Sequence, residues 1–251
     1  MIRRIHLEKV DSTNNYIRRL IDRGETGECL LLVDADDQYA GRGQRGNTWE
    51  SEEGKNLSFS VLCHPVHITP ARQFVVSEAM ALAVVKTLAE VEGTETAKES
   101  QFRVKWPNDI YYNDKKICGT LIECDLQGKV ILNCIIGTGL NVNQTHFVSD
   151  APNPVSLRQI FGKEFDLEDL LLRLINRFEE LFNTLEAGGS SQLHATYQQW
   201  LYRRRGCYPY EDANGLFMAE IADVEPSGHL VLRDTDGHLR RYEFKEVAFV
   251  V

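Results

Sequence analysis

No stretch of this 251-residue chain approaches the ~20 consecutive apolar residues that a membrane helix needs. Apolar-rich stretches such as Ile131 to Ile136 fall far short, and the opening MIRRIHLEKVDST has no apolar signal core. A soluble, cytoplasmic protein is the expectation. Cysteine is sparse: Cys29, Cys63, Cys118, Cys124, Cys134 and Cys207 form no C-x-x-C pair, so they are expected to be reduced thiols, mostly buried. Only 7 prolines accompany 18 glycines, with 43% hydrophobic and 26% charged residues, which excludes disordered, collagen-like and disulfide-scaffold classes. Positive charge is short as well. Lys and Arg number 28 against 37 Asp and Glu, a net charge of −9, which argues against a general nucleic-acid binder because phosphate affinity comes mainly from Lys and Arg. Any anion site must therefore be local. Of the histidines, at 6, 64, 67, 146, 194, 229 and 238, only His64 and His67 are close, with no Cys or carboxylate at a metal-site spacing. The chain lacks a G-x-S-x-G elbow and a terminal G-K-[ST] after its glycine-rich loop, which excludes the common serine hydrolase and P-loop readings.

Length fits one large domain, or an ordinary domain with a small partner. Asp11 to Gly24 offers capping residues, then Ile17, Leu20 and Ile21 on one face and Gly24 as a stop, predicting a short amphipathic helix. Leu30 to Val33 suits a buried strand, and Asn56 to Leu62 alternates as a half-buried strand does. Thr69-Pro70 opens a long buried helix ending before Gly93. Val104 to Trp106, Ile110 to Tyr112, Ile117 to Cys124 and Val130 to Ile136 read as strands in successive hairpins, which implies antiparallel pairing. A helix follows from Asp166, with Leu170, Leu174, Phe178 and Leu185 on its apolar face, then a shorter one carrying Tyr197 and Trp200. Past Gly206 the helical period disappears. Short alternating strands around Ser227-Gly228 and Asp236-Gly237 suggest a small β-barrel, and the division expected is 1–205 and 206–251.

Three segments carry candidate chemistry. Gly41-Arg42-Gly43-Gln44-Arg45-Gly46 matches the dinucleotide string, but the polar residues Asn47 to Lys55 open no helix and run into a strand, so a pyrophosphate-on-helix site fails. The loop is either a solvated turn or an anion site, in which glycines let backbone N–H groups approach and the forks of Arg42 and Arg45 grip phosphate or carboxylate. In the second segment, Asp109, after Lys105-Trp106-Pro107-Asn108, and Lys116 flank one short hairpin. They are surface groups, or they face a common pocket where Lys116 holds a carboxylate and the phosphate it attacks. In the third, Gly137-Thr138-Gly139 within an apolar strand marks a bulge or a close approach by backbone or ligand.

In this order, D-S-T-N (Asp11 to Asn14), Q-x-x-G-R-G-x-R-G (Gln38 to Gly46), Trp49, K-W-P-N-D (Lys105 to Asp109), K-K-I-C-G (Lys115 to Gly119) and G-x-G-L-N (Gly137 to Asn141) resemble biotin protein ligases. The resemblance spans nearly the whole chain. It implies an α+β fold akin to class II aminoacyl-tRNA synthetases, a largely antiparallel sheet with flanking helices, plus a small SH3-like barrel at the C-terminus. Ten residues before Asp11 are too few for the winged helix of some members, so the form lacking an N-terminal DNA-binding domain is expected.

By resemblance, Ser12, Thr13 and Asn14 match the segment contacting biotin's ureido ring, and Gln38 a glutamine of the same pocket. Gly137 and Gly139 are placed there too. Arg42, Gly43 and Gln44 match the loop over the biotin carboxylate and adenylate, and Lys116 the lysine that binds carboxylate and α-phosphate. Trp49 matches the tryptophan near adenine, with Arg45, Asn108 and Asn141 also on the nucleotide side. The expected catalytic set is Lys116, Arg42, Arg45 and Asp109. Where the family commonly has Arg, this chain has Gln44, one positive charge fewer over the phosphate. Lys245 and Glu246 are expected to reach back to the nucleotide.

The implied activity is ATP-dependent formation of biotinyl-5′-AMP and transfer of biotin to a lysine of a carboxylase's biotin carboxyl carrier protein, as in biotin–[acetyl-CoA-carboxylase] ligases. ATP and Mg²⁺ enter as co-substrate and activating ion, with no tightly bound cofactor and no metal-ligand set of the protein's own. Neither DNA nor membrane is an expected partner, and a homodimer is left open. Two alternatives stand beside this: a lipoate or octanoate ligase of the same superfamily, and a non-catalytic binding module.

Overall fold

The computed structural model describes residues 2–27, 29–43, 47–148 and 153–250. Its main sheet consists of β1 (Ile2–Val10), β2 (Leu30–Gln38), β3 (Leu57–Cys63), β4 (Phe102–Lys105), β5 (Asp109–Tyr112), β6 (Lys115–Gln127) and β7 (Val130–Leu140). The spatial order is β1-β2-β3-β7-β6-β5-β4. β1 and β2 are parallel and every other neighbouring pair is antiparallel, so the consecutive hairpins expected from Phe102 onward form one continuous ladder.

Helix α1 (Thr13–Asp22) covers part of one face, where Ile17 and Leu20 pack on Leu31, Val33, Leu62 and Ile135. The other face is buried under α2 (Phe74–Glu92), α4 (Leu167–Glu186) and α5 (Ser190–Gln199), with the short α3 (Leu157–Phe161) before them. Helix α2 is buried nearly all round, the pattern of a central helix. Pro70 does not begin it: Pro70–Arg72 make a separate 3-10 turn, and the α-helix starts at Phe74. It ends where Gly93 takes a left-handed φ of 88°, which a side chain would resist. No helix among the described residues is long and apolar enough to cross a membrane.

Strand β1 had no clear sequence signature because it is an edge strand held largely by charge. Arg4 bonds Asp34 at 2.7 Å and reaches Glu168 on α4, while His6 contacts Asp34 at 2.7 Å. The opposite edge, β4, is covered where Val104 exchanges backbone hydrogen bonds with Trp200 and Tyr202 at 2.8 Å. Strand β3 is buried at all seven positions rather than half-buried, because it lies between β2 and β7 with both faces covered. Its serines meet polar side chains: Ser60 contacts Thr13 and Asn14 of α1.

The expected C-terminal barrel is not formed. Strands β8 (Tyr208–Asp212), β9 (Gly215–Val224), β10 (Leu230–Asp234), β11 (Leu239–Tyr242) and β12 (Val247–Phe249) make an open sheet in the order β11-β10-β9-β8-β12. Closure needs a ladder between β11 and β12, and none is present among the described residues. The intervening chain turns away: Phe244 packs edge-on against Trp106, just past β4, at 5.9 Å, and Lys245 adopts φ 73°. Tyr210, Leu230, Leu232 and Val247 of this sheet join the same apolar cluster as α2 and α4.

Leu174 on α4 is fully buried in that cluster, whereas Leu172 is 45% exposed. Leu174→Ala is expected to lower stability by about 2–5 kcal/mol in urea denaturation, with Leu172→Ala within about 0.5 kcal/mol of wild type.

Candidate active site

Strand alternation carries the face of Ile135, packed under α1, onward to Gly137 and Gly139. Missing side chains at these two positions turn a packed surface into a floor. A Cβ on Gly137 would lie 2.2 Å from Asn14 Oδ1, and one on Gly139 would lie 2.2 Å from the Trp49 indole. Gly119, opposite Gly139 on β6, leaves room for both Trp49 and Lys116, each 3.1 Å from its virtual Cβ. The ladder runs through the glycine pair without a bulge, and what approaches is not backbone but the side chains of Asn14 and Trp49.

The cavity above this floor measures about 780 Å³, within the usual range for small-molecule sites. At one end sits the start of α1. Thr13 N–H donates to Gln38 Oε1 at 3.0 Å, Thr13 and Ser60 hydroxyls meet at 2.6 Å, and Ser60 donates to Asn14 Oδ1 at 2.6 Å. Asn14 Nδ2 in turn donates to Glu123 at 2.8 Å, and Arg42 contacts the same carboxylate at 3.1 Å. Arg42 and Thr48 form a single antiparallel bridge, so the flanks of the glycine-rich loop face each other.

At the other end, Lys116 Nζ donates to Asp109 Oδ2 at 2.7 Å across the β5–β6 hairpin and lies 5.9 Å from the Trp49 ring centroid. The Trp49 indole N–H has no hydrogen-bond partner among the described residues. Asn108 anchors the preceding turn by donating to Thr120 O at 3.1 Å. Lys105 donates to Tyr111 Oη at 3.0 Å, and burial holds its ammonium pKa down while pushing the Tyr111 phenol up. Phe244, Lys245, Val247, Ala248 and Phe249 complete the wall. Among the described lining residues, four cations (Arg42, Lys105, Lys116 and Lys245) stand against one carboxylate, Asp109. A strongly acidic chain thus gathers positive charge at one place, as any anion site in such a chain must.

Ser12, Thr13, Asn14, Gln38, Arg42, Gly43, Trp49, Asn108, Asp109, Lys116, Gly137 and Gly139 all line this one cavity. Gln44 and Arg45 lie outside the described residues. Asn141 is not among the lining residues: it is buried, and its Nδ2 donates to Val155 O at 3.1 Å. Lys245 lines the cavity and Glu246 does not. Sequence reading did not pick out Ser60, Glu123, Tyr111 or Phe249. Ser60 and Glu123 lie far in sequence from their partners on α1 and are brought to them by the β3-β7-β6 ladder, Tyr111 meets Lys105 across the β4–β5 hairpin, and Phe249 arrives on β12 of the second sheet.

The family model for the "Biotin/lipoate A/B protein ligase family" matches residues 7–141. The Bifunctional ligase/repressor BirA of Bacillus spizizenii is 28% identical over 243 residues, covering 95% of this chain and 71% of that protein. The Biotin–[acetyl-CoA-carboxylase] ligase of Paracoccus denitrificans is 26% identical over 245 residues, covering 92% and 94%. Against the ligase/repressor relatives it matches, the chain spans between 54% and 71% of their length. Among solved structures, the biotin protein ligase from Aquifex aeolicus in complex with biotin and ATP superposes with a TM-score of 0.75 at 24% identity, covering 98% of this chain and 97% of that one. The matched segment contains α1, the glycine-rich loop, the β5–β6 hairpin and the glycine floor, and the chain belongs to the Biotin/lipoate A/B protein ligase family.

Proposed function

We propose that this cavity activates biotin with ATP as biotinyl-5′-AMP and passes the biotinyl group to a lysine of an acceptor protein. The observation carrying the reading is that Arg42 and Lys116, from a glycine-rich loop and a distant hairpin, line the same cavity as the hydrogen-bonding row of Thr13, Asn14 and Gln38. A carboxylate does not acylate an amine at useful rates near neutral pH, so its oxygen must first become a leaving group. The biotin carboxylate attacks the α-phosphate in line and pyrophosphate leaves, while Lys116 and Arg42 offset the charge that develops. Arg45 is proposed to add a further cation. Asp109, by accepting from Lys116, fixes where that ammonium points. An acceptor lysine then attacks the acyl carbon and AMP departs, with alignment as the protein's main contribution to this step.

Mg²⁺ takes one or two carboxylates together with substrate phosphates, and Asp109 beside Asn108 matches that donor chemistry. When bound, the ion offsets charge on the triphosphate. The acceptor we favour is a carboxylase's biotin carboxyl carrier protein. Residues from 206 onward are proposed as a second unit that supplies one wall of the nucleotide end.

Lys116→Ala should cut biotin-dependent ATP–pyrophosphate exchange by ~100-fold, comparable to losing a preorganised electrostatic contact of roughly 3 kcal/mol. Unchanged exchange would remove Lys116 from the mechanism. Wild-type exchange should be supported by biotin and not by lipoate or octanoate, and the reverse preference would reassign the substrate. Gly137 has ordinary φ, so Gly137→Ala should fold while displacing Asn14. Calorimetry should then show biotin bound about tenfold more weakly, the cost of roughly one hydrogen bond.

A further inference from the structure

Glu123 is not a lining residue of the cavity, yet two of its contacts are. It lies on β6 with the parity of Gly119 and Leu121, so it shares the cavity's face of the sheet. Its Oε2 accepts from Asn14 Nδ2 at 2.8 Å and from Arg42 Nη2 at 3.1 Å, and Oε1 lies 3.3 Å from the same arginine nitrogen. The neighbouring cation Arg18 is held by Asp125 instead.

We propose that Glu123 is a positioning residue that sets the direction of the side-chain hydrogen bonds running from Asn14 through Ser60 to Thr13 in the biotin-recognising row, and holds Arg42 until the substrate carboxylate arrives. This deepens the biotin-ligase reading and rests on it. The direction follows from donor and acceptor inventory. An ionised carboxylate only accepts, so Asn14 must turn its NH₂ toward Glu123 and its carbonyl toward Ser60. Ser60 spends its one hydroxyl hydrogen on that carbonyl at 2.6 Å. Thr13, at 2.6 Å from Ser60, must then be the donor between them. Gln38 Oε1 accepts from the Thr13 backbone N–H at 3.0 Å whichever way the row runs, and the Thr13 hydroxyl, 3.2 Å from that same oxygen, is turned to Ser60 by the row. A cyclic urea presents two N–H donors beside one carbonyl acceptor, and it is read only by partners whose donor and acceptor ends are fixed in advance. One charge at the end of the row fixes Asn14, Ser60 and the Thr13 hydroxyl.

The same carboxylate explains the state of Arg42. Both contacts reach a single guanidinium nitrogen at 3.1 and 3.3 Å, looser than a paired fork, for which ~2.7–2.9 Å is typical. An incoming carboxylate or phosphate that offers the full fork displaces Glu123 from Arg42, while Asn14 keeps its acceptor.

The test uses the whole chain and reads biotin KM, ATP KM and kcat in ATP–pyrophosphate exchange. Glu123→Gln can offer an NH₂ to Asn14 and so releases the row's direction. Biotin KM should rise about tenfold, with ATP KM and kcat at saturating biotin within about threefold, a split that general loss of structure does not produce. Asn14→Asp sets two carboxylates face to face and should weaken biotin binding further. In the double variant that joins Asn14→Asp to Glu123→Gln, the glutamine NH₂ donates to the new carboxylate, which still accepts from Ser60, so biotin KM should fall back toward that of Glu123→Gln. Because this swap is read against Asn14→Asp, it remains decisive if Glu123→Gln proves less stable than wild type. Unchanged biotin KM in Glu123→Gln, or no recovery in the swap, overturns the proposal with the ligase reading intact. Absence of biotin-dependent exchange in the wild type fails that reading, and the proposal with it.

Discussion

The site exists because two adjacent strands give up their side chains where they face the cavity. With a Cβ at Gly137 or Gly139, Asn14 and Trp49 could not lie where they do, and the sheet face that is packed under α1 at Ile135 would continue as packed surface. Close packing makes this a sharp condition, since an interior at normal density has no slack for a methyl at 2.2 Å. The paired strands that form the floor also deliver Lys116 and Glu123 from β6, so floor and charges share one rigid ladder.

Electrostatics then divides the cavity. Toward α1 the groups are amides and hydroxyls in a directed row, suited to a polar uncharged ring, with the Arg42–Glu123 pair at its end. Toward the β5–β6 hairpin and the C-terminal sheet they are cationic, suited to carboxylate and phosphate. Burial makes both halves more selective. Thr13, Ser60 and Asn14 are out of water with their hydroxyl hydrogens already spent within the row, so a ligand that buries a polar group there without a partner costs about 1–3 kcal/mol.

Local signals were legible. The Ser12 to Gly24 helix, the α4 stripe and the Phe102–Gly137 hairpins rest on periodicity and turns that neighbours within a few residues determine. What was not legible depended on long-range partners. Strand β1 has no clean alternation, because Arg4 and His6 find their carboxylates across the sheet and on α4. Ser58 and Ser60 read as a solvent face because serine is small and polar, and nothing local reveals that Ser60 meets Thr13 and Asn14 of α1 or that Ser58 meets Ser51. Glu123 is 109 positions from Asn14 and 81 from Arg42, and no motif spans such distances.

The unformed barrel is the instructive case. Alternation and Gly turns specify strands and hairpins, but closure is decided by where the last two strands find partners. In this chain the turn after β11 carries Phe244 and Lys245 and leads into β12, Val247 to Phe249, and all five line the cavity. Phe244 packs on Trp106, whose indole N–H donates to Gly228 O at 2.9 Å, so the two sheets are stitched at that corner by both an aromatic contact and a hydrogen bond. A closed barrel would draw those residues back against their own sheet and remove a wall from the cationic half. The open edge is therefore the form of the small sheet that lets its last strand serve a site built mostly from the first.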